Sequence, residues 1–250
     1  MNHLLDIITI TKDDLDGVAA TVASTDRLRR FPGCGQIVID GSSEGVRERV
    51  GLLAAGGSNL EYCRQPPAGI SAAFNEGLRR SSAEWIWFLN GGDTVHPGIS
   101  PELLLPLLEN STADAMIFKI EFLETGKIPD HPPLWLRWPP VWSWIPHPAA
   151  IVRRNLLTRF GAFDESYRIA MDYEFWFRAF AGNAVVDTIS IPLSRFTMNG
   201  LSDSQWPQTC AEAARVIRGN LRPLLKIWLR NGASIFSAWL HYYRQSSRRW

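Results

Sequence analysis

Cysteine is scarce in this chain. Cys34, Cys63 and Cys210 stand far apart with no CxxC spacing, which argues against a zinc site and a disulfide framework and fits a reducing compartment. No stretch reaches the roughly 20 apolar residues that a spanning helix needs. A basic then apolar leader is missing ahead of the first β-branched run, so no cleaved export signal is expected. The expectation is a cytoplasmic protein, at most peripheral on the inner face of the plasma membrane. Neither sign of charge is in excess: the formal net charge of +1 gives no drive toward nucleic acid. A dinucleotide fingerprint is absent too, because Gly33-Cys34-Gly35 precedes a strand instead of following one. The segment after the first strand, TKDDLDG, is acidic and poor in glycine, unlike the basic phosphate loop of a nucleotidyltransferase.

What is present is organised around residues 84–95, EWIWFLNGGDTV. An apolar run long enough for a buried strand stops at Asn90, Gly91, Gly92 and Asp93. In open α/β sheets ligands lie beyond the carboxyl ends of strands, so an acid on a glycine turn there is placed to meet a ligand or a metal. A solvated turn in which Asp93 caps its own backbone is the alternative. Before it, residues 4–11 and 36–40 read as strands, with a shorter one near 59–64. Helices are expected over 15–30, 46–55 and 71–80. Strand and helix in alternation mean βαβ units and a mostly parallel sheet flanked by helices.

Beyond the glycine turn a helix is expected over 101–110 and a strand over 115–123. Residues 129–148 differ in kind: Trp135, Trp138, Trp142 and Trp144 stand among seven prolines, which exclude a regular helix or central strand. Such rings either pack on the core or form flat platforms for sugars or a membrane interface. Residues 149–160 hold a short apolar piece and the basic pair Arg153 and Arg154. An amphipathic helix follows over 171–180 with Asp172 in its first turn, where the helix dipole favours an acid. A last strand over 185–191 is expected to end at Pro192. From 211 to 250 there are eight Lys or Arg and a single acid, Glu212. That basic, aromatic stretch suits either an anionic leaflet or a helical hairpin packed on the body. The division expected is 1–205 for the α/β domain and 206–250 for a helical C-terminal appendage.

In this order, DIITITKDD, VIDGSSEG, GISAAFNEG, FLNGGD and GAFDESYRIAMDYEFWFR resemble the GT-A (Rossmann-like) glycosyltransferases of family 2. More narrowly they resemble the bacterial exopolysaccharide enzymes of colanic-acid type, over about residues 4–203. The resemblance implies an inverting transferase that moves a sugar from a nucleotide diphosphate sugar to a saccharide or lipid-linked saccharide acceptor. It assigns Thr9, Thr11 and Asp40 to the nucleoside pocket, and Asn90, Asp93 and Arg195 to the donor diphosphate. Asp93 would be the ligand of Mg²⁺ or Mn²⁺, and Asp172 the general base. His147, Trp142 and Trp144 fall on the acceptor side, and Ser202 in a late loop over the phosphates. Several family acids are replaced here: Asn90 and Gly92 stand in the metal motif, Ile39 before Asp40 and Met171 before Asp172. Those losses keep a degenerate, non-catalytic nucleotide-sugar-binding module as the alternative.

Overall fold

The computed structural model describes residues 3–131, 145–197 and 204–220. Five strands and four helices open the chain, alternating as far as β4. They are β1 (Leu5–Thr11), α1 (Leu15–Arg29), β2 (Cys34–Asp40), α2 (Glu44–Ala55), β3 (Leu60–Arg64), α3 (Ile70–Arg80), β4 (Trp85–Asn90), the short β5 (Thr94–Val95) and α4 (Pro101–Asn110). Then come β6 (Ala115–Phe122), β7 (Ala150–Arg153), α5 (Arg154–Phe160), α6 (Met171–Ala181), β8 (Val186–Phe196) and α7 (Trp206–Gly219). All eight strands form one sheet in the order β3-β2-β1-β4-β7-β6-β8-β5. From β3 to β4 every pairing is parallel, as βαβ crossovers require. The other half is mixed, with β7 antiparallel to both β4 and β6, β8 parallel to β6, and β5 antiparallel to β8.

The β period sorts side chains between two cores. Ile8, Ile10, Ile86, Phe88 and Ile117 face one side, where Phe74 of α3, Leu156 and Leu157 of α5, Phe175 and Trp176 of α6 and Val216 of α7 cover them. Leu5, Ile7, Trp85, Trp87 and Leu89 face the other, with Leu104, Leu105 and Leu108 of α4. Helix α3 sits so close to β1 that a Cβ on Gly77 would fall 2.2 Å from Ile8 Cγ2, so only glycine fits there.

One expectation, the end of the last strand, is corrected, and residues 149–160 gain defined elements. The apolar piece before Arg153 is the strand β7 and the residues after it are α5, so this stretch is structured throughout. Moreover, β8 does not stop at Pro192. It continues to Phe196, with Pro192 opposite Lys119 where the register against β6 shifts, a position at which a missing N–H is tolerated. Among the described residues no helix is long and apolar enough to cross a membrane. Of the expected appendage, α7 is present and packs on α6. The stretch 221–250 lies outside the described residues.

Candidate active site

The carboxyl ends of β1, β2 and β3 open onto a cleft of about 420 Å³. Lys12, Arg47 and Arg64 bring three cations to it against the single acid Asp13, and Ser42, Ser43 and Gln65 add hydrogen-bonding groups. Asp13 holds the rim together from a left-handed backbone (φ 56°). Its Oδ1 accepts from the backbone N and Oγ of Ser43, both at 2.7 Å, while its own N–H donates to Ser42 Oγ at 2.7 Å. Those bonds, the Ser43 amide first, hold its carboxyl below the usual range. Gln65 lines the cleft, and its Oε1 is buried without a hydrogen-bond partner. Sequence reasoning missed Lys12, Arg47, Arg64 and Gln65. The signal available was the place of Lys12, Arg64 and Gln65 at strand ends and of Arg47 in the first turn of the helix after β2.

Two residues expected to line a nucleoside pocket support it from beneath. Asp40 is 0 % exposed: Oδ1 accepts from Ser42 N at 2.8 Å and Oδ2 from Tyr62 Oη at 2.9 Å. Burial, then the bond to Asp40, pushes the Tyr62 hydroxyl up to about 12, so it remains a donor. Thr9 is fully buried, and its Oγ1 accepts from Gln36 Nε2 at 2.8 Å, away from the cleft. Thr11 closes β1, with Oγ1 donating to Asp14 O at 3.3 Å.

The glycine turn places Asp93 at the sheet edge but turns its carboxylate inward. Asp93 is 4 % exposed, and its Oδ2 accepts from the backbone N (2.9 Å) and Nδ2 (3.2 Å) of Asn90. Thr21 of α1 ties the turn down, donating to Asp93 O at 2.7 Å and accepting from Gly92 N at 3.0 Å. Gly92, at φ 101°, supplies the positive φ the turn needs. Burial pushes the Asp93 carboxyl up to about 7 against the lowering effect of both Asn90 bonds. No group of three metal-ligating side chains occurs among the described residues. With one inward carboxylate, these residues do not fit a divalent-cation site. Arg195 lies beside this turn, opposite Thr94 across the β5–β8 pair, and its Nε donates to Glu121 Oε2 at 2.6 Å.

Asp172 stands in the first turn of α6, half-buried, with Oδ1 accepting from Tyr173 N at 2.7 Å. Surrounding protein pushes its carboxyl up to about 6, opposed by the Tyr173 amide and its own. The segment leading into it is held by the GISAAFNEG stretch, now seen to be a clamp. Ser71 Oγ donates to Tyr167 O at 2.8 Å, and Asn75 donates to Phe163 O and accepts from Phe163 N. His147 sits in a short 3₁₀ turn before β7, its ring 5.0 Å from Phe74, 5.9 Å from Phe88 and 6.0 Å from Phe163. Burial pushes it down to about 4, so the imidazole is neutral, and Nε2 is buried without a partner. Trp142, Trp144 and Ser202 lie outside the described residues.

Comparison with known proteins accords with this geometry. The sequence pattern of "Glycosyl transferase family 2" matches residues 7–172. An uncharacterised glycosyltransferase of Mycobacterium tuberculosis is 28 % identical over 98 % of this chain and 94 % of its own length. Among solved structures, Staphylococcus aureus TarS superposes with a TM-score of 0.69 at 16 % identity, over 87 % of this chain and 39 % of TarS. A mannosyltransferase from Pyrobaculum calidifontis, in complex with GDP-Man and Mn²⁺, gives 0.65 at 14 % identity over 94 % of this chain and 70 % of that one. The strand-end cleft and the clamped segment before Asp172 fall within the matched residues, and the chain belongs to glycosyl transferase family 2.

Proposed function

We propose that this glycosyltransferase moves a sugar from a nucleotide diphosphate sugar to a hydroxyl of a saccharide acceptor, with inversion. The donor occupies the strand-end cleft, whose three cations suit a diphosphate. Structures of TarS with UDP and with UDP-GlcNAc, and the GDP-Man complex above, support a nucleotide-linked donor. The observation that carries the reading is the placement of Asp172, a half-buried carboxyl in the first turn of α6 just beyond the clamped segment, where burial raises its pKa to about 6. In the step, the acceptor oxygen bonds to the anomeric carbon as its bond to the diphosphate breaks. The diphosphate leaves with the electron pair, and the acceptor proton passes to Asp172. One base opposite the leaving group inverts the centre, and no carboxylate nucleophile is required. Lys12, Arg47 and Arg64 meet the charge that develops on the diphosphate. A cell-surface or extracellular polysaccharide built on a lipid-linked saccharide is the context proposed, with residues 206–250 as the region nearest an anionic membrane. Nucleic acid has no part in it.

The test is a thermal-shift screen against UDP, GDP, dTDP and CDP with and without Mg²⁺ or Mn²⁺, followed by donor turnover in parent and Asp172→Asn protein. The reading expects one nucleotide to raise the melting temperature in both proteins and turnover to fall by roughly 10²–10⁴-fold in the variant. A second reading, a non-catalytic nucleotide-sugar-binding module, is favoured by the inward Asp93 and by Asn90 and Gly92 in place of acids. It expects the same nucleotide shift with no turnover in the parent.

A further inference from the structure

Helix α6 begins without a cap of its own. Ala170 precedes it and offers no side-chain acceptor. The acceptor comes instead from a distant element. Glu212 of α7 takes the amide of Arg168 on Oε1 at 3.2 Å and those of Ile169 and Ala170 on Oε2, both at 2.9 Å. Burial acts to raise its carboxyl, but the three amides outweigh that and hold it below the usual range, so an ionised group closes the start of α6. Next to it on α7, Arg215 donates to Ser166 O at 2.8 Å and lies 3.6 Å over the Tyr167 ring.

Residues 163–170 are therefore gripped from two sides, by Ser71 and Asn75 of α3 and by Glu212 and Arg215 of α7. Asp172 is two residues beyond the last grip. The α3 half of the clamp lies within the family pattern, whereas α7 follows its end at residue 172. Glu212 is also the single acid among residues 211–250, so no neighbour on α7 replaces it. We infer that Glu212 is a positioning residue for Asp172, fixing the amides that lead into α6 and thereby where the base points. This rests on the reading of Asp172 as the general base. A base misplaced by about 1 Å costs on the order of 100-fold in rate, so such a grip has leverage on the chemistry.

The test compares full-length parent, Glu212→Gln, Glu212→Ala and Asp172→Asn proteins. UDP and GDP are the binding probes; UDP-GlcNAc and GDP-mannose, with water as acceptor, are the turnover probes. Carboxyl NMR follows the titration of Asp172. In Glu212→Ala the Asp172 midpoint should fall by about one unit or more toward the ordinary carboxylate range. Nucleotide release should drop about 10- to 100-fold with nucleotide Kd within about twofold of the parent. Glu212→Gln keeps one carbonyl acceptor and should fall between, and it decides the matter should the alanine variant not fold. Either folded variant with the parent's Asp172 midpoint and rate would overturn the inference. So would a loss of rate matched by an equal loss of nucleotide affinity, which marks a structural role. Asp172→Asn retaining the parent's rate would instead remove the base reading, while the Asp172 midpoint in the Glu212 variants still decides the positioning.

Discussion

The turn at Asn90–Asp93 carries Asp93 and the start of α6 carries Asp172, and protein around each pushes it toward neutrality, to about 7 for Asp93 and about 6 for Asp172. They differ in where their restraints come from. Asp93 is held by Asn90, three residues away, and its Oδ2 faces into its own turn. Asp172 is held indirectly, by a segment whose partners lie on α3 and α7. A self-contained turn is a rigid corner. A carboxyl placed by distant elements and only partly buried is suited to take a proton from a bound substrate.

The largest effect should come from Asp172→Asn, which removes the base and keeps the shape. Donor turnover should fall by roughly 10²–10⁴-fold with nucleotide affinity unchanged, read by nucleotide release and calorimetry. An equal loss of both would make Asp172 a structural acid like Asp93. Next, Asp93→Asn preserves an acceptor for the Asn90 amide but removes the ionisation. A carboxyl raised from 3.8 to about 7 binds its proton more tightly when folded, so its stabilising effect is complete below pH 3.8 and fades as pH rises through 7. The parent should lose up to about 4 kcal/mol from this group between pH 4 and 7, and the variant should lack that slope in denaturant titrations.

Asn75→Ala tests the clamp from its α3 side. The substitution leaves the buried Phe163 N–H and C=O without their partner, and should cost about 2–3 kcal/mol in unfolding free energy. The smallest change is expected from His147→Phe. Removing a buried, unpartnered Nε2 from an aromatic cluster should leave stability at pH 7 equal or raise it by about 1 kcal/mol. A histidine held down at about 4 stabilises the fold progressively as pH rises from 4 to 6.5, and that increment should disappear in the variant. A fall in turnover without a change in stability would instead place Nε2 on the acceptor.

Much of the architecture was legible because it is local. Apolar runs of strand length marked β1, β2 and β4, ended by Lys12–Asp14, by Asp40–Gly41 and by Asn90–Asp93, and the parallel half of the sheet followed. The mixed half was harder to read. The strand β7 is only four residues long, and Pro192 looks like a strand end unless the register shift that accommodates it is known. For the site, strand ends located Asp40, Asp93 and Thr11, but alternation alone does not say which face a strand end presents. Asp40 consequently holds Ser42 at the cleft from within, while Thr9 bonds to Gln36 away from it. Glu212 could be singled out as the one acid in a basic stretch, yet its partners lie over 40 positions earlier and no local pattern encodes them.

The most direct test of the account is the pH dependence of donor turnover at saturating donor, in parent and Asp172→Asn protein. A general base acts when deprotonated, so the parent's rate should rise with pH, bend near 6 and level off above it, and the variant should show only a low, flat rate. A parent profile flat from pH 4.5 to 7.5, or the same limb surviving in the variant, would contradict the assignment of Asp172 as the base.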